Sequence, residues 1–450
     1  MKKTLLKSYL RFLLPTLLTM VMYATYTMVD GIFVGQGLGS RGISAVNIAI
    51  PFVTLTFALS ILISIGSLNL ITYQLGRGDK KKADELFSLG LSLALGLGIF
   101  ISAISLFFLD ELISLLGAKR QIHDLVKDYL SVILIFTPFY ILAYFFEIMV
   151  KADGKPIIAS IFMVISALTN IILDYLFIFR LGFGLRGAAL ATGMSQFLPT
   201  LAYLGYFRSK LARLKFRRFT PKAHMVKSIL TYGLPASLSE LSSGFVTLLF
   251  NKAIGFYYGI DGLASFSVIS YTMVFVVNIM IAITQASQPL ISFNFGKKSY
   301  ERVLELRKYM IVSAGLISLG LFALIYTNPK LIIDLFIGDY DTNFLDFAQR
   351  NLRVFSISFL IMGFNMVNSG YMSAVKRPRY DFYITILRGY ILISGLILIL
   401  PRVFERSMIW HSLSISELIS LFISFIFIRK AESEIRKLNK LKKKKKKSYS

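Results

Sequence analysis

Long apolar runs separated by short polar segments occupy almost the whole chain. Every run is long enough to cross about 30 Å of hydrocarbon as an α-helix. The runs are continuous rather than alternating between apolar and polar residues, which excludes the strands of an outer-membrane β-barrel. Twelve spans are predicted, at residues 10–35, 45–75, 84–109, 127–150, 157–179, 187–207, 226–256, 262–292, 305–327, 347–373, 380–400 and 408–428.

Composition narrows the class to an all-α polytopic membrane protein, because 55% of the 450 residues are hydrophobic and only 16% are charged. The chain has no cysteine and three scattered histidines, so we expect no disulfide and no thiolate or histidine metal site. A phosphate-binding glycine loop, a metal-spaced histidine pair and a serine elbow are also missing from the sequence. We therefore predict no enzymatic activity and no cofactor other than a coupling ion.

The net charge of +26 is concentrated in alternate polar segments, such as residues 77–82 and 208–227. The positive-inside rule places these segments and both termini in the cytoplasm, which requires an even number of spans. The lysine run at 440–447 is interpreted as a solvated, disordered end that favours anionic lipid headgroups over nucleic acid. We expect a multi-pass protein of the cytoplasmic (inner) membrane, present as a monomer.

Three short motifs recur in the same order in both halves of the chain. They are Leu14-Pro15 with Leu234-Pro235, residues 78–81 with 296–299, and Lys155-Pro156 with Arg377-Pro378. An even number of spans in each half predicts a parallel repeat of two six-helix lobes, related by a pseudo-two-fold axis along the membrane normal. The predicted parts are an N-lobe (1–207), a basic cytoplasmic linker (208–225), a C-lobe (226–430) and a basic cytoplasmic tail (431–450).

Two aspartates, Asp30 and Asp174, lie within predicted spans of the first half, where a carboxylate is costly. Asn170 precedes Asp174 by four residues, so both side chains lie on one helix face. Asp30, Asn170, Asp174 and Thr192 fall at similar predicted depth toward the outer side, and their oxygens suit either a shared proton or Na⁺. The alternative is structural, with Asn170 and Thr192 joining helices and Asp174 capping or pairing with Arg180.

Four other residues within the spans remain open between a functional and a structural role. Glu240 is read as the one clear carboxylate inside the spans of the second half, in a substrate or ion site or in a helix–helix hydrogen bond. Glu147 is expected to form a local pair with Lys151. Arg388 is expected to lie near a span end or to face the bundle, and extension toward the span end is the default. Pro15 removes a helix hydrogen bond and is a candidate hinge.

These motifs resemble the multidrug and toxic compound extrusion (MATE) family, in particular its DinF-like branch, over nearly the whole chain. The motifs that carry the resemblance are Pro15, Asp30 with Gly35, Asn170-x-x-x-Asp174 and Thr192. The resemblance implies an N-lobe cation site with Asp30 as the coupling carboxylate, and Pro15 as a bending point. The NorM-like branch has a carboxylate in span ten, where this chain has Asn365 and Asn368, so Glu240 is left without an acidic partner.

The resulting hypothesis is an H⁺- or Na⁺-coupled antiporter that exports amphiphilic, cationic organic compounds by alternating access. A lipid-linked glycan flippase of the same superfamily is the first alternative, although few basic residues lie within the spans to bind a pyrophosphate. A non-transporting membrane module is the second alternative. The sequence does not distinguish H⁺ from Na⁺, because the same oxygen ligands serve both ions.

Overall fold

The structure, a computed structural model, describes residues 2–337 and 341–447, and all regular elements in these residues are helical. The α-helices are α1 (Lys2–Arg77), α2 (Lys80–Phe107), α3 (Leu109–Leu115), α4 (His123–Ala152), α5 (Pro156–Asp174), α6 (Gly184–Arg208), α7 (Ala223–Gly296), α8 (Tyr300–Thr327), α9 (Pro329–Asp334), α10 (Thr342–Ala374), α11 (Pro378–Ile386), α12 (Ile393–Val403) and α13 (Ser412–Lys447). Two π-helical turns, Tyr175–Arg180 and Leu387–Leu392, and a 3₁₀ turn, Arg406–His411, complete the set.

The described residues contain the twelve long helical segments that the hydropathy pattern predicts. Ten helices are long and apolar enough to cross a membrane, counting α1 as two spans and α7 as one. The 74 residues of α7 also form two spans, because the backbone leaves the helical conformation at Gly259. Helix α6 occupies the predicted sixth span. The prediction of an all-α protein with twelve spans is therefore confirmed.

The chain forms two compact units. The N-terminal unit comprises Leu14–Ser237, and the C-terminal unit comprises the residues up to Leu13 together with those from Leu238 onward. Helix α1 is therefore divided between the units after Leu13, and α7 is divided after Ser237. The lobes, linker and tail predicted from the sequence follow membrane topology rather than packing, and their boundaries stay a prediction.

The repeat is visible in the backbone as well as in the sequence. Left-handed φ angles occur at three pairs of corresponding turns: Gly39 (66°) and Gly259 (62°), Gly78 (83°) and Lys298 (56°), Gly154 (88°) and Lys376 (62°). Glycine adopts this conformation without penalty, whereas a lysine there costs roughly 1 kcal/mol. The second half therefore keeps the turns of the first half even where it has lost the glycine.

A close backbone crossing in the N-terminal unit joins the start of α7 to the second half of α1. A Cβ atom on Gly233 would lie 1.7 Å from the carbonyl oxygen of Leu62, and one on Gly66 would lie 2.0 Å from that of Ile229. Small residues allow such approaches between membrane helices, where van der Waals packing drives association. The first turns of α7 are thus fixed to α1 by glycine contacts.

Buried carboxylates hold the non-helical segment between α6 and α7. Asp153 accepts hydrogen bonds from the backbone N–H groups of Arg213 (3.0 Å) and Leu214 (2.8 Å) and from the Tyr206 hydroxyl (2.6 Å). Asp84 accepts one from the backbone N–H of Lys215 at 3.0 Å. These bonds anchor a strongly basic segment that sequence analysis treats only as a linker.

The expectation of a disordered C-terminal end is wrong for residues up to Lys447, because α13 continues to that residue. Glu432 and Glu434, which precede the lysine run, form ion pairs with Arg307 and Arg377. Lys443 pairs with Glu301 at 2.5 Å. The contact with Glu301 offsets a small part of the repulsion among the lysines of the run.

Candidate functional site

The N-terminal unit brings Asp30, Asn170 and Asp174 together. Asp174 is 0% exposed and Asn170 1% exposed. The Asp30 and Asp174 carboxyl groups are adjacent, and the Asn170 amide lies beside Asp174. Two ionised carboxylates offer each other no donor, and among the described residues both Asp174 oxygens, both Asn170 amide atoms and Asp30 Oδ1 are buried without a hydrogen-bond partner. Several unpaired oxygens therefore converge on one point within the spans.

The end of α5 positions two of these side chains. Asn170 and Asp174 lie in its last two turns, and the π-helical turn Tyr175–Arg180 begins directly after Asp174. Such turns are frequent at functional sites because they interrupt the regular helical hydrogen bonding. The guanidinium of Arg180 lies 5.7 Å from the Tyr175 ring centroid and, within the described part of the chain, forms no ion pair with Asp174. The structural alternative that pairs Asp174 with Arg180 is therefore not observed.

Two tyrosines that sequence analysis missed border the carboxyl pair. Tyr129 of α4 is 7% exposed, and its phenol is close enough to interact electrostatically with both Asp30 and Asp174. Tyr26, buried one turn before Asp30 on α1, interacts with Asp30 in the same way. The four-residue spacing of Tyr26 and Asp30 is a usable sequence signal. No local pattern connects Tyr129 with either aspartate, since it lies on another helix.

The site therefore holds two carboxyl groups and an amide, with no basic side chain paired to them among the described residues. A group of oxygen atoms with no positively charged side chain beside it can bind a proton or a hard cation.

A comparison with known proteins gives the family context. The MatE family model matches residues 15–176 and again residues 235–395.

The chain belongs to the MatE family. Both matches begin at a proline, Pro15 and Pro235, so the family model finds the same internal repeat as the motifs do. MatE proteins are membrane transporters, which agrees with the many spans. A location in a cell membrane follows from the same observations.

The chain is similar to multidrug export proteins along nearly its full length. Multidrug export protein MepA of Staphylococcus aureus (strain MSSA476) is 28% identical over 422 residues, covering 93% of each chain. The MepA protein of Staphylococcus haemolyticus (strain JCSC1435) is 28% identical over 429 residues, which cover 95% of this chain and 94% of that protein.

Solved structures share the fold. An outward-facing multidrug resistance MATE family transporter of the MOP superfamily superimposes with a TM-score of 0.90 at 25% identity, covering 96% of both chains. A MOP superfamily transporter from Pyrococcus furiosus has a TM-score of 0.90 at 24% identity over the same share of each chain, which shows the fold alone.

Two other predicted functional residues, Thr192 and Pro15, stay predictions. The Thr192 hydroxyl forms no hydrogen bond with Asp30, Asn170 or Asp174 among the described residues, while its backbone carbonyl accepts one from Ser195 at 2.7 Å. Pro15 lies in a part of α1 with helical backbone angles, because only Gly39 departs from them within α1. The Pro15 carbonyl accepts a hydrogen bond from the Ser160 hydroxyl at 2.6 Å, which ties α5 to this point of α1.

The predicted local pair on α4 is confirmed. Lys151 Nζ lies 2.6 Å from Glu147 Oε1, one turn apart. The Lys151 side chain is only 1% exposed, so the pair is buried rather than at the surface. Leaving either charge unpaired at this depth would be strongly destabilising. A structural role for Glu147 follows from this.

The reading of Glu240 as the one clear carboxylate in the spans of the second half is wrong. Glu417, 1% exposed, lies in the predicted twelfth span, and Asp381, 4% exposed, lies at the start of the eleventh. Asp381 accepts hydrogen bonds from the hydroxyl groups of Ser369 and Ser373. The Glu240 carboxyl group has no hydrogen bond or ion pair within the described part of the chain, and its role stays a prediction.

Of the two positions left open for Arg388, the structure shows the one that faces the bundle, so the default expectation of extension toward a span end is wrong. Its Nε donates to Glu417 Oε1 at 2.6 Å, inside the C-terminal unit. Asn365, one of the two asparagines in the middle of the tenth span, donates its amide to Glu417 Oε2 at 2.7 Å. The signal that sequence analysis passed over is the presence of one arginine and one glutamate within neighbouring predicted spans.

Proposed function

We propose that this MatE chain is a cation-coupled antiporter of the DinF-like branch. It exports amphiphilic, cationic organic compounds across the cytoplasmic membrane by alternating access, driven by inward movement of H⁺ or Na⁺. The observation that carries the proposal is the buried Asp30–Asp174 pair with Asn170, whose polar atoms lack partners among the described residues. The similarity to proteins named for multidrug export supports the choice of substrate class.

Each residue has a chemical role in this proposal. Asp30, the half-buried member of the pair, exchanges the ion with the aqueous phase. Asp174 and Asn170 complete the set of oxygen ligands, and Thr192 adds a hydroxyl when the ion is bound. Two adjacent carboxylates repel each other, so a bound cation or proton stabilises the pair. Binding and release of that cation bias α1 between two arrangements around Pro15, since a proline weakens the helix there.

The remaining expectations belong to the same proposal. Both termini lie in the cytoplasm, as the basic segments favour. Basic loops and the C-terminal lysines contact anionic lipid headgroups rather than nucleic acid. The protein acts as a monomer and needs no cofactor other than the coupling ion. Glu240 is kept as a second candidate for substrate or ion binding in the C-terminal unit.

Transport in proteoliposomes tests this proposal. We expect wild-type protein to move a cationic dye in response to an imposed pH or Na⁺ gradient, and Asp30→Asn to abolish that movement while remaining folded. Asp128→Asn is the matched control, because Asp128 lies in the same unit but is exposed and pairs with Arg186 at 2.7 Å. Full gradient-driven dye movement by Asp30→Asn at equal protein density would overturn the assignment.

A further inference from the structure

Arg388 is an arginine inside the eleventh span with only part of its hydrogen-bonding capacity used. It lies in the π-helical turn Leu387–Leu392, and its Nε donates to Glu417 Oε1 at 2.6 Å. Its two Nη atoms have no hydrogen-bond partner among the described residues. The Arg388 side chain is 15% exposed, whereas that of Glu417 is 1% exposed. The Nε side of the guanidinium is therefore bound to Glu417. The side with the two Nη atoms, called the open edge below, is free to bind another group.

The open edge is fixed in orientation by a network behind it. The Asn365 amide donates to Glu417 Oε2 at 2.7 Å and to the Glu417 backbone carbonyl at 2.8 Å. Ser424 donates to Asn365 Oδ1 at 3.3 Å and accepts from the Asn368 amide at 3.1 Å. Because Glu417 is held from two sides, the guanidinium plane that it binds is held as well. Such preorganisation lowers the entropic cost of binding a ligand.

The open edge does not face lipid. Charged side chains within spans face the protein interior or a water-filled cavity, since exposure to hydrocarbon is costly. The exposed residues of the same span are Tyr383 (54%), Ile391 (59%), Leu398 (52%) and Ile399 (55%). Arg388 is only 15% exposed and its guanidinium is bound to the buried Glu417, so it lies on the inward side of the span.

A planar guanidinium with two free Nη atoms matches a carboxylate, which it binds through two parallel hydrogen bonds. Glu417 already cancels the charge of Arg388, so a simple anion would leave the site with net negative charge. A zwitterion avoids this cost because it brings its own cation. We propose that Arg388 binds the carboxylate of zwitterionic amphiphiles, as a substrate-recognition residue of the exporter; this rests on the proposed export function.

A pair of dyes that differ in one group provides the test: a rhodamine with a free carboxylate, and the same rhodamine as its methyl ester. Both carry the delocalised cation, and only the free acid is a zwitterion. We expect Arg388→Lys to weaken binding of the free acid to purified protein in detergent by at least about tenfold, since a charge-assisted bidentate contact is lost. Binding of the ester should change less than twofold.

Two further variants separate recognition from folding. Arg307→Lys is the control, because Arg307 also pairs with a glutamate, Glu432, in the C-terminal unit, but stacks on the Tyr371 ring at 4.9 Å. It should not distinguish the two dyes. The double variant Arg388→Gln/Glu417→Gln removes both charges together, so that neither is left buried alone. It should bind the ester normally and lose the free acid.

The outcomes distinguish this inference from the function it rests on. Equal effects of Arg388→Lys on both dyes would make the Arg388–Glu417 pair purely structural and would overturn the inference. Gradient-driven export of the ester by wild-type protein that does not bind the free acid would overturn it too, while leaving the antiporter proposal intact. If neither dye is exported, but Arg388→Lys still weakens free-acid binding selectively, the site stands and the export proposal fails.

Discussion

Each unit buries a group of polar side chains around carboxylates inside its spans, and the two groups differ in whether a basic side chain is part of them. In the C-terminal unit, Glu417 is bound by Arg388 and Asn365. In the N-terminal unit, Asp30 and Asp174 lie beside each other without a basic partner among the described residues. A carboxylate with a built-in partner is stable as it stands, whereas an unpaired one is stabilised by a cation from outside. The difference indicates a fixed ion pair at Glu417 and exchangeable charge at the Asp30–Asp174 pair.

In the second copy of the repeat, the position that corresponds to Asp30 is occupied by an apolar side chain of the core. Phe250 lies where the repeat would place a counterpart of Asp30, and it is 0% exposed. Its ring stacks on that of Phe266, with centroids 5.1 Å apart. An apolar core thus replaces the carboxyl site, which makes the contrast between the units a property of single residues on a shared backbone.

The largest expected loss of stability comes from breaking the Arg388–Glu417 ion pair. Glu417→Ala leaves the Arg388 guanidinium buried without its partner, and we expect a loss of about 3–5 kcal/mol in the free energy of unfolding. The measurement is the thermal unfolding midpoint in detergent. Arg388→Met/Glu417→Leu, which removes both charges, should recover most of this loss. If Glu417→Ala is as stable as the wild-type protein, Glu417 does not hold the Arg388 side chain.

A smaller loss of stability is expected at the close crossing of α1 and α7 through Gly66 and Gly233 in the N-terminal unit. Gly233→Ala places a methyl group against the backbone of Leu62, which cannot yield as a side chain would, and should cost about 1–3 kcal/mol. Gly244→Ala is the matched control on the same helix, in the C-terminal unit, since no atom lies within 4 Å of its added Cβ. Equal unfolding midpoints for the two variants would contradict the close crossing.

The smallest expected change in the free energy of unfolding comes from Asp174, and it is a gain rather than a loss. Asp174→Asn removes one of two adjacent carboxylates, so we expect unchanged stability or a gain of up to about 1 kcal/mol, together with loss of gradient-driven transport. The same thermal unfolding assay checks the first part and proteoliposomes the second. A destabilisation as large as that of Glu417→Ala would mean that Asp174 is a structural residue, and the contrast between the units would disappear.

Elements that depend on local pattern could be predicted from the sequence. Hydropathy identified all twelve spans, because a span must be apolar over its whole length. The four-residue spacing of Asn170 and Asp174 placed both on one helix face, and the shared depth of Asp30 indicated that they could meet. The Glu147–Lys151 pair was predictable for the same reason, since it lies within one helix.

Contacts between distant spans could not be predicted in this way. The Arg388–Glu417 pair joins residues on different helices, and no spacing rule shows which inward faces meet. Tyr129 reaches the aspartates from α4, which forms a third wall of the site. The helical conformation of the C-terminal end depends on ion pairs such as Glu432 with Arg307, which lie far apart in the sequence. Local composition alone suggested disorder there.

The left-handed turns shared by the two halves have an evolutionary consequence. A gene duplication gives both copies the same backbone, and Lys298 and Lys376 still adopt the angles that Gly78 and Gly154 adopt in the first copy. The two copies therefore share the path of the chain at these turns although their residue types differ. The carboxyl pair is present in one copy only, so chain path and ion chemistry have separate histories. Side chains at the site can be exchanged by mutation without rebuilding the scaffold that presents them.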